Sequence, residues 1–154
     1  DFMEGIFQRH HFTEKSAAWL RREIRVQVLN PHSNSGGGYW APEQRLVRLL
    51  TAQDEAAVHE LAHAWWHYRR QGKAEELIAA VVRAAHEPDE RYIRVQHLAH
   101  GYVYGTAHDS WPGLLVDKND WEMFAGLASD IMGDTSLLPP YLRPFYEGLF
   151  ETPG

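Results

Sequence analysis

Residues 57–67, AVHELAHAWWH, restrict the fold of this 154-residue chain more than any other segment. Apart from its ionisable side chains the segment is almost entirely apolar, so a helix built from it is expected to be buried. His59, Glu60 and His63 nevertheless lie within it. Buried polar groups need partners, so the rest of the chain has to supply groups that bind or neutralise these three side chains.

The spacing of the two histidines predicts a shared metal ion. Residues four apart on a helix lie about 40° apart around its axis and one turn apart along it, so His59 and His63 project side by side. Their imidazoles are then close enough to bind one zinc ion at about 2.0–2.1 Å. Glu60 lies about 100° from His59, beside the metal, where its carboxylate can hold a water molecule.

A helix without metal is the alternative, with two hydrogen-bonded core histidines and a solvent-facing Glu60. The pentapeptide His-Glu-x-x-His arises by chance in about five of every hundred chains of this composition. The surrounding sequence therefore has to decide between the two interpretations.

Composition excludes several classes of function. The net charge is −6 and no dense basic patch is present, which argues against nucleic acid and anionic membranes as partners. The chain has no cysteine, and hence neither disulfides nor thiolate metal sites. No apolar run approaches the length of a membrane span, so a soluble protein is expected. Because the sequence begins with Asp1, a mature secreted form and an excised domain of a larger protein both stay open, as does the oligomeric state.

The hydrophobic pattern predicts one α+β domain over residues 1–154. A small, mostly antiparallel sheet is expected over about 20–50, where apolar and polar residues alternate around a turn at 33–38. The zinc helix is expected over about 52–70, with Thr51 as its N-cap and Asp54 completing a capping box. The remaining predicted elements form a helical half over 73–150. Two helices are expected at about 73–86 and 90–105, and a further helix is expected to be capped by Asn119 or Asp117. A short proline-initiated helix is expected in LLPPYLRPFYEGLF.

A third ligand must come from outside the zinc helix. His67 continues the histidine stripe, but it lies about 12 Å along the axis from His59, too far for the same ion. Glu122 is the better candidate, because it stands among apolar residues at the start of a predicted helix. Stabilisation of the helix dipole is the alternative role for this carboxylate.

At this point the chain resembles a known family. HELAH at 59–63 and EMFA at 122–125 are similar to motifs of the gluzincin metallopeptidases, whose third zinc ligand is a glutamate on a later helix. The likeness is to anthrax lethal factor-like catalytic domains and small single-domain gluzincins, and it extends in outline over residues 24–150. The resemblance implies a zincin-like fold, with His59, His63 and Glu122 as zinc ligands and Glu60 as general base.

Two departures from the family pattern concern groups around the metal. Many gluzincins have an acidic residue four positions after the glutamate ligand, where it orients a ligand histidine, but this chain has Gly126 there. Asp120 or Asp130 is the expected substitute. The lethal factor-like proteins also have a catalytic tyrosine one to two turns before the glutamate, where this chain has Leu115 and Val116.

An oxyanion-stabilising group is therefore expected in HLAHGYVYGTAHD, residues 97–109. Tyr102 and His108 are the predicted donors, since both can give a hydrogen bond to a tetrahedral intermediate. The same segment supports a rival assignment, because the aspzincin peptidases combine His-Glu-x-x-His with a Gly-Thr-x-Asp motif, which GTAHD at 105–109 resembles with one extra residue. In that alternative Asp109 or His108 replaces Glu122 as third ligand.

Together these features predict a zinc-dependent metalloendopeptidase, a hydrolase in which Glu60 takes a proton from a zinc-activated water. A peptide or protein is the expected substrate, and the strand around 36–41 is a candidate edge for binding it. The alternative is a catalytically inactive or latent zincin-like domain that serves as a binding or sensing module.

Overall fold

A computed structural model describes residues 1–32, 36–105 and 119–152 of the chain. Six helices and three strands lie in these ranges. In chain order they are α1 (Phe2–Arg9), α2 (Glu14–Glu23), β1 (Arg25–Val28), β2 (Gly38–Ala41), β3 (Leu46–Leu49), α3 (Asp54–His67), α4 (Ala74–Ala85), α5 (Ile93–Tyr104) and α6 (Asp120–Ile131).

Two helices that the sequence analysis did not predict begin the chain. The Asp1 side chain accepts a hydrogen bond from the Met3 amide at the start of α1, and Thr13 caps α2 by accepting from the Ser16 amide. Both caps satisfy amide groups that have no partner inside the helix. The helices are short, which makes their hydrophobic period hard to distinguish from a loop.

The sheet is mixed, which corrects the expectation of a mostly antiparallel one. Its strand order is β1-β3-β2, with β3 parallel to β1 and antiparallel to β2. After β2, a 3-10 turn at Pro42–Gln44 and a left-handed Arg45 return the chain between the two earlier strands. Strand β2 is consequently at one edge of the sheet.

Helix α3 is central to the hydrophobic core and packs against α6 and the sheet. It begins at Asp54, and Gln53, not Thr51, is its N-cap residue. Thr51 is fully buried, which corrects its predicted capping role. Among the described residues, no helix is long and apolar enough to cross a membrane.

The C-terminal segment is not the single helix that was predicted. It contains two 3-10 turns, Thr135–Leu137 and Arg143–Phe145, and its end pairs with the N-terminal region through a bridge between Phe12 and Phe150. Proline has no amide hydrogen to donate, so the prolines at 139, 140 and 144 leave no stretch long enough for a stable helix.

Candidate metal centre

Helices α3 and α6 meet along one stripe of α3. His59, His63, Trp66 and Arg70 succeed one another at intervals of four, three and four residues. These intervals keep all four within about 60° around the axis, so each of them faces α6. The first two of these residues form the polar part of the contact, together with side chains of α6.

Both histidine side chains of the stripe converge on Glu122. His59 Nε2 lies 2.9 Å from Glu122 Oε1, and His63 Nε2 lies 3.5 Å from Glu122 Oε2. The side chains of His59, His63 and Glu122 are 23%, 10% and 19% exposed, so the cluster is mostly shielded but open to solvent on one side. The sequence-predicted ligands are thus brought together by the fold.

Ser129, which the sequence analysis missed, lies behind His59. Its Oγ donates a hydrogen bond to the Gly126 carbonyl over 3.1 Å and lies 3.3 Å from His59 Nδ1. With its proton used in this way, Ser129 accepts from the Nδ1–H of His59. That arrangement fixes the tautomer of the ring and directs Nε2 towards Glu122.

The short contact between His59 and Glu122 depends on which ring nitrogen carries the hydrogen. With that hydrogen on Nδ1, Nε2 of His59 carries a lone pair, and it faces a carboxylate oxygen only 2.9 Å away. Two acceptors at this separation repel each other unless a proton or a metal ion lies between them. Either an imidazolium–carboxylate pair or a bound metal removes the repulsion.

The three side chains carry donor atoms of the kinds that zinc binds, and one such atom of each lies within 4.8 Å of the others, so the group could hold a metal ion. With bonds of about 2.0–2.1 Å, neighbouring ligands of a tetrahedral zinc ion are about 3.3 Å apart. The distances of 2.9 Å from His59 Nε2 to Glu122 Oε1 and 3.5 Å from His63 Nε2 to Glu122 Oε2 lie on either side of this value, although they involve different carboxylate oxygens. Three protein ligands also leave one tetrahedral position for water or substrate.

Glu60 lies beside the cluster and against the sheet edge. It is only 7% exposed, and it lines the cleft together with His59 and His63. Gly38 of β2 makes this position accessible: a Cβ on Gly38 would lie 3.2 Å from Glu60 Cγ and 2.6 Å from the Arg48 carbonyl oxygen. A side chain at residue 38 would therefore displace the strand and crowd Glu60.

Burial and charge act on these groups in different directions. Burial raises the pKa of Glu60, and the two neighbouring histidines only partly oppose this effect. Burial would also raise the pKa of Glu122, but hydrogen bonds from His59 and His63 outweigh it and hold the pKa well below its usual range. Although burial lowers the pKa of His59, its contact with Glu122 raises it overall. Glu60 therefore binds a proton more readily than Glu122 does.

An open cleft of about 530 Å³ reaches the cluster. This size lies within the range of small-molecule and peptide-side-chain sites. None of the described residues after Ile131 lines it, so the C-terminal segment does not cover the cleft. The lining residues are Gly38, Tyr39, Trp40, Pro42, His59, Glu60, His63, His67, Arg70, Trp121 and Glu122.

Asp120 and Asp130 do not take the role of orienting a ligand histidine, which corrects that expectation. Asp120 accepts hydrogen bonds from Arg70 at 2.7 and 2.9 Å and from the Trp66 indole at 2.8 Å. Asp130 pairs with Arg94 at 3.1 Å. Ser129 contacts His59 instead, and a signal for it existed, because it lies seven residues after Glu122 and so on the same helix face.

Tyr102 lies on α5 behind α6, away from the cleft. It is 2% exposed, and its hydroxyl lies 1.5 Å from where a Cβ on Gly126 would be. Tyr102 therefore fills the space above Gly126, and its predicted hydrogen bond to an oxyanion stays a prediction. It also gives a packing reason for the glycine at 126, where the resembled family has an acidic residue.

The other predicted donor, His108, lies outside the described residues, as do Asp109 and Asp117. His67 lines the cleft beside Trp40, with ring centroids 5.8 Å apart, but it is not one of the three converging ligands.

Comparisons of the chain with protein-family models, curated proteins and solved structures found no significant match. We therefore infer the function from the geometry and the chemistry of the site.

Proposed function

We propose that this chain is a zinc-dependent metalloendopeptidase with a zincin-like arrangement, similar to the gluzincins. The observation that supports it most is the convergence of His59 and His63 on Glu122, from a second helix, at the wall of an open cleft. Under this proposal these three residues hold the metal. When bound, zinc supplies Lewis acidity that lowers the pKa of a coordinated water to about 7 and polarises the substrate carbonyl.

Glu60 acts as the general base in this proposal. Its carboxylate accepts the proton of the attacking water and then gives it to the nitrogen of the leaving amine. Its raised pKa favours this exchange, because a carboxylate that is too acidic accepts a proton poorly. Ser129 holds the ring of His59, and Glu122 remains an anionic ligand.

The edge of β2 is the proposed binding surface for the substrate backbone. Strand β2 pairs on one side with β3, and Gly38, Tyr39 and Trp40 of β2 line the cleft. An extended peptide can add to such an edge through main-chain hydrogen bonds, which places a peptide carbonyl near Glu60.

Metal analysis and one conservative variant test the proposal. Purified protein should contain about one zinc per chain, which a chelator removes together with peptidase activity. Glu60→Gln should retain the zinc and lose about 10²–10⁴-fold in kcat, because only the proton acceptor is removed. Glu76→Gln, at an exposed position on α4, is the matched control and should cleave like the unaltered protein.

Two outcomes would contradict the proposal. Protein that binds no zinc in a titration with the metal alone excludes the metal site. Zinc-loaded protein that cleaves no peptide of a random library excludes the peptidase and favours the alternative of an inactive or latent binding module. Equal cleavage by Glu60→Gln would instead exclude Glu60 as the general base.

A further inference from the structure

The cleft has two dissimilar halves that meet at Glu60. The larger half was described above, and a second cavity of about 360 Å³ adjoins it. Gly38, His59 and Glu60 line both cavities. A peptide bond held at Glu60 would therefore have one flanking side chain in each half.

The larger half has an aromatic wall, called here the aromatic pocket and formed by Trp40, Pro42, His67 and Trp121. Trp121 is 45% exposed, and the Trp40 ring packs against His67 with ring centroids 5.8 Å apart. The rings belong to three separate elements, β2, α3 and α6, so the fold assembles this wall around the proposed reaction centre.

The charged group beside the aromatic pocket, Arg70, is neutralised by an ion pair with Asp120. Arg70 donates to both carboxylate oxygens of Asp120, and its guanidinium lies over the Trp121 ring at 5.4 Å. Burial and the nearby Arg70 also lower the pKa of His67, which keeps this ring neutral at pH 7. A charged substrate side chain in the aromatic pocket would lose hydration without finding a free counter-charge among the described pocket residues, whereas an uncharged aromatic side chain would bury apolar surface.

The smaller half of the cleft is lined mainly by glycines and polar residues. Three consecutive glycines, Gly36–Gly38, line it together with Gln53, Glu55 and Ser129. Among the described residues that line this half, the imidazole of His59 is the only ring, so this half offers little apolar surface to a large side chain. Small substrate residues fit this half best, because the glycines let a peptide backbone approach closely.

We propose that the substrates are peptides with a large uncharged side chain, above all an aromatic one, in the aromatic pocket and a small residue on the opposite side of the scissile bond. This inference rests on the proposed function, since it names the substrate class of that same site. The orientation of the chain along β2 decides whether the aromatic residue precedes or follows the cleaved bond.

A degenerate peptide library gives the first test. Zinc-loaded protein is incubated with the library, and the cleaved products are sequenced by mass spectrometry. We expect Phe, Tyr, Trp or Leu to be enriched at one of the two positions that flank the cleaved bond, and Gly, Ala or Ser at the other. Cleavage without this asymmetry overturns the inference and leaves the proposed function intact. Enrichment of Asp, Glu or a free C-terminal carboxylate also overturns it, because Arg70 would then be available to bind an anion.

Trp121→Ala then connects the preference to the aromatic pocket. The ratio of kcat/KM for a phenylalanine peptide to that for its glycine analogue should fall about tenfold or more, since one wall of the pocket is removed. Tyr104→Ala is the matched control, because Tyr104 is 49% exposed but lies outside the cleft lining. An unchanged ratio in Trp121→Ala contradicts the assignment of this pocket.

Binding to Glu60→Gln separates the inference from catalysis. Titration of zinc-loaded Glu60→Gln with capped, amidated peptides should give about tenfold tighter binding for Phe than for Glu at the selected position. If the unaltered protein cleaves nothing but Glu60→Gln still shows this difference, the proposed enzyme is wrong and the aromatic preference stands. Equal binding of both peptides rejects the preference itself.

Discussion

The two ends of the contact between α3 and α6 differ sharply, although one helical stripe forms both. At one end His59 and His63 face the Glu122 carboxylate in a partly open site. At the other end Trp66 stacks on Phe124, with ring centroids 4.5 Å apart and planes 9° apart. The first end brings together polar groups that are costly to bury, and the second buries large apolar rings that stabilise the fold.

The aromatic end extends beyond the two helices. Phe124 also stacks on Tyr146 at 4.3 Å, and the Tyr146 hydroxyl donates to the Phe124 carbonyl at 2.8 Å. The C-terminal segment is thus fixed to the side of α6 that provides stability. Rigid apolar packing one to two turns away thus holds His59, His63 and Glu122 in place.

The largest expected effect comes from breaking the aromatic end. Phe124→Ala should reduce the free energy of unfolding by about 3–5 kcal/mol, because Phe124 is fully buried and touches three other rings. Urea unfolding with and without chelator measures this loss, which should be similar in both conditions. A loss below about 1 kcal/mol would mean that the stack does not stabilise the site.

A change at the polar end should affect zinc more than stability. Ser129→Ala removes the acceptor for the Nδ1–H of His59, and zinc affinity should fall about 10–100-fold. Ser129→Thr, which keeps a hydroxyl, should recover most of the affinity, and Ser136→Ala is a control on an exposed serine. Competition with a chromogenic chelator measures the affinity. Unchanged affinity in Ser129→Ala would show that the ring of His59 is positioned by packing alone.

The smallest effect is expected at the exposed N-terminus of α3, before the stripe begins. Hydrogen bonds from Arg9 and His10 lower the pKa of Asp54. A depressed pKa stabilises the folded state above the unfolded value near 4, and this contribution is lost as the pH falls below it. Because Asp54 is one-third exposed, we expect Asp54→Asn to cost at most about 1 kcal/mol at pH 7.

Urea unfolding of both proteins at pH 7 and pH 3 measures this contribution. The difference between unaltered protein and Asp54→Asn should shrink at pH 3, where Asp54 is mostly protonated in the unfolded state. A difference at pH 3 as large as that at pH 7 would assign it to packing and not to charge.

Helix positions were predictable to within a few residues wherever the apolar period was long. The predicted zinc helix at about 52–70 corresponds to Asp54–His67, and the predicted helix at 73–86 to Ala74–Ala85. The errors lie where non-local pairing decides the structure. Nothing in the local pattern shows that β3 inserts between β1 and β2, or that the chain ends meet through Phe12 and Phe150.

In the candidate site, too, local geometry was predictable from the sequence and contacts between elements were not. The relation of Glu60 to His59 and His63 is a property of one helix, so 3.6 residues per turn were enough to predict it. Glu122 was selected from its apolar neighbours and a family resemblance, and its 2.9 Å approach to His59 depends on how two helices pack. The burial of Tyr102 against Gly126 could not be predicted from the sequence, because a tyrosine in the core and one in a cleft have the same local pattern.

By itself the sequence determined the buried helix, its two imidazoles on one face and the carboxylate beside them, because these follow from bonds within consecutive turns. Only the tertiary structure decided that Ser129, not an aspartate, orients His59, and that aromatic rings of β2, α3 and α6 gather on one side of Glu60. Such contacts join residues far apart in the chain, and the packing of whole elements sets their distances.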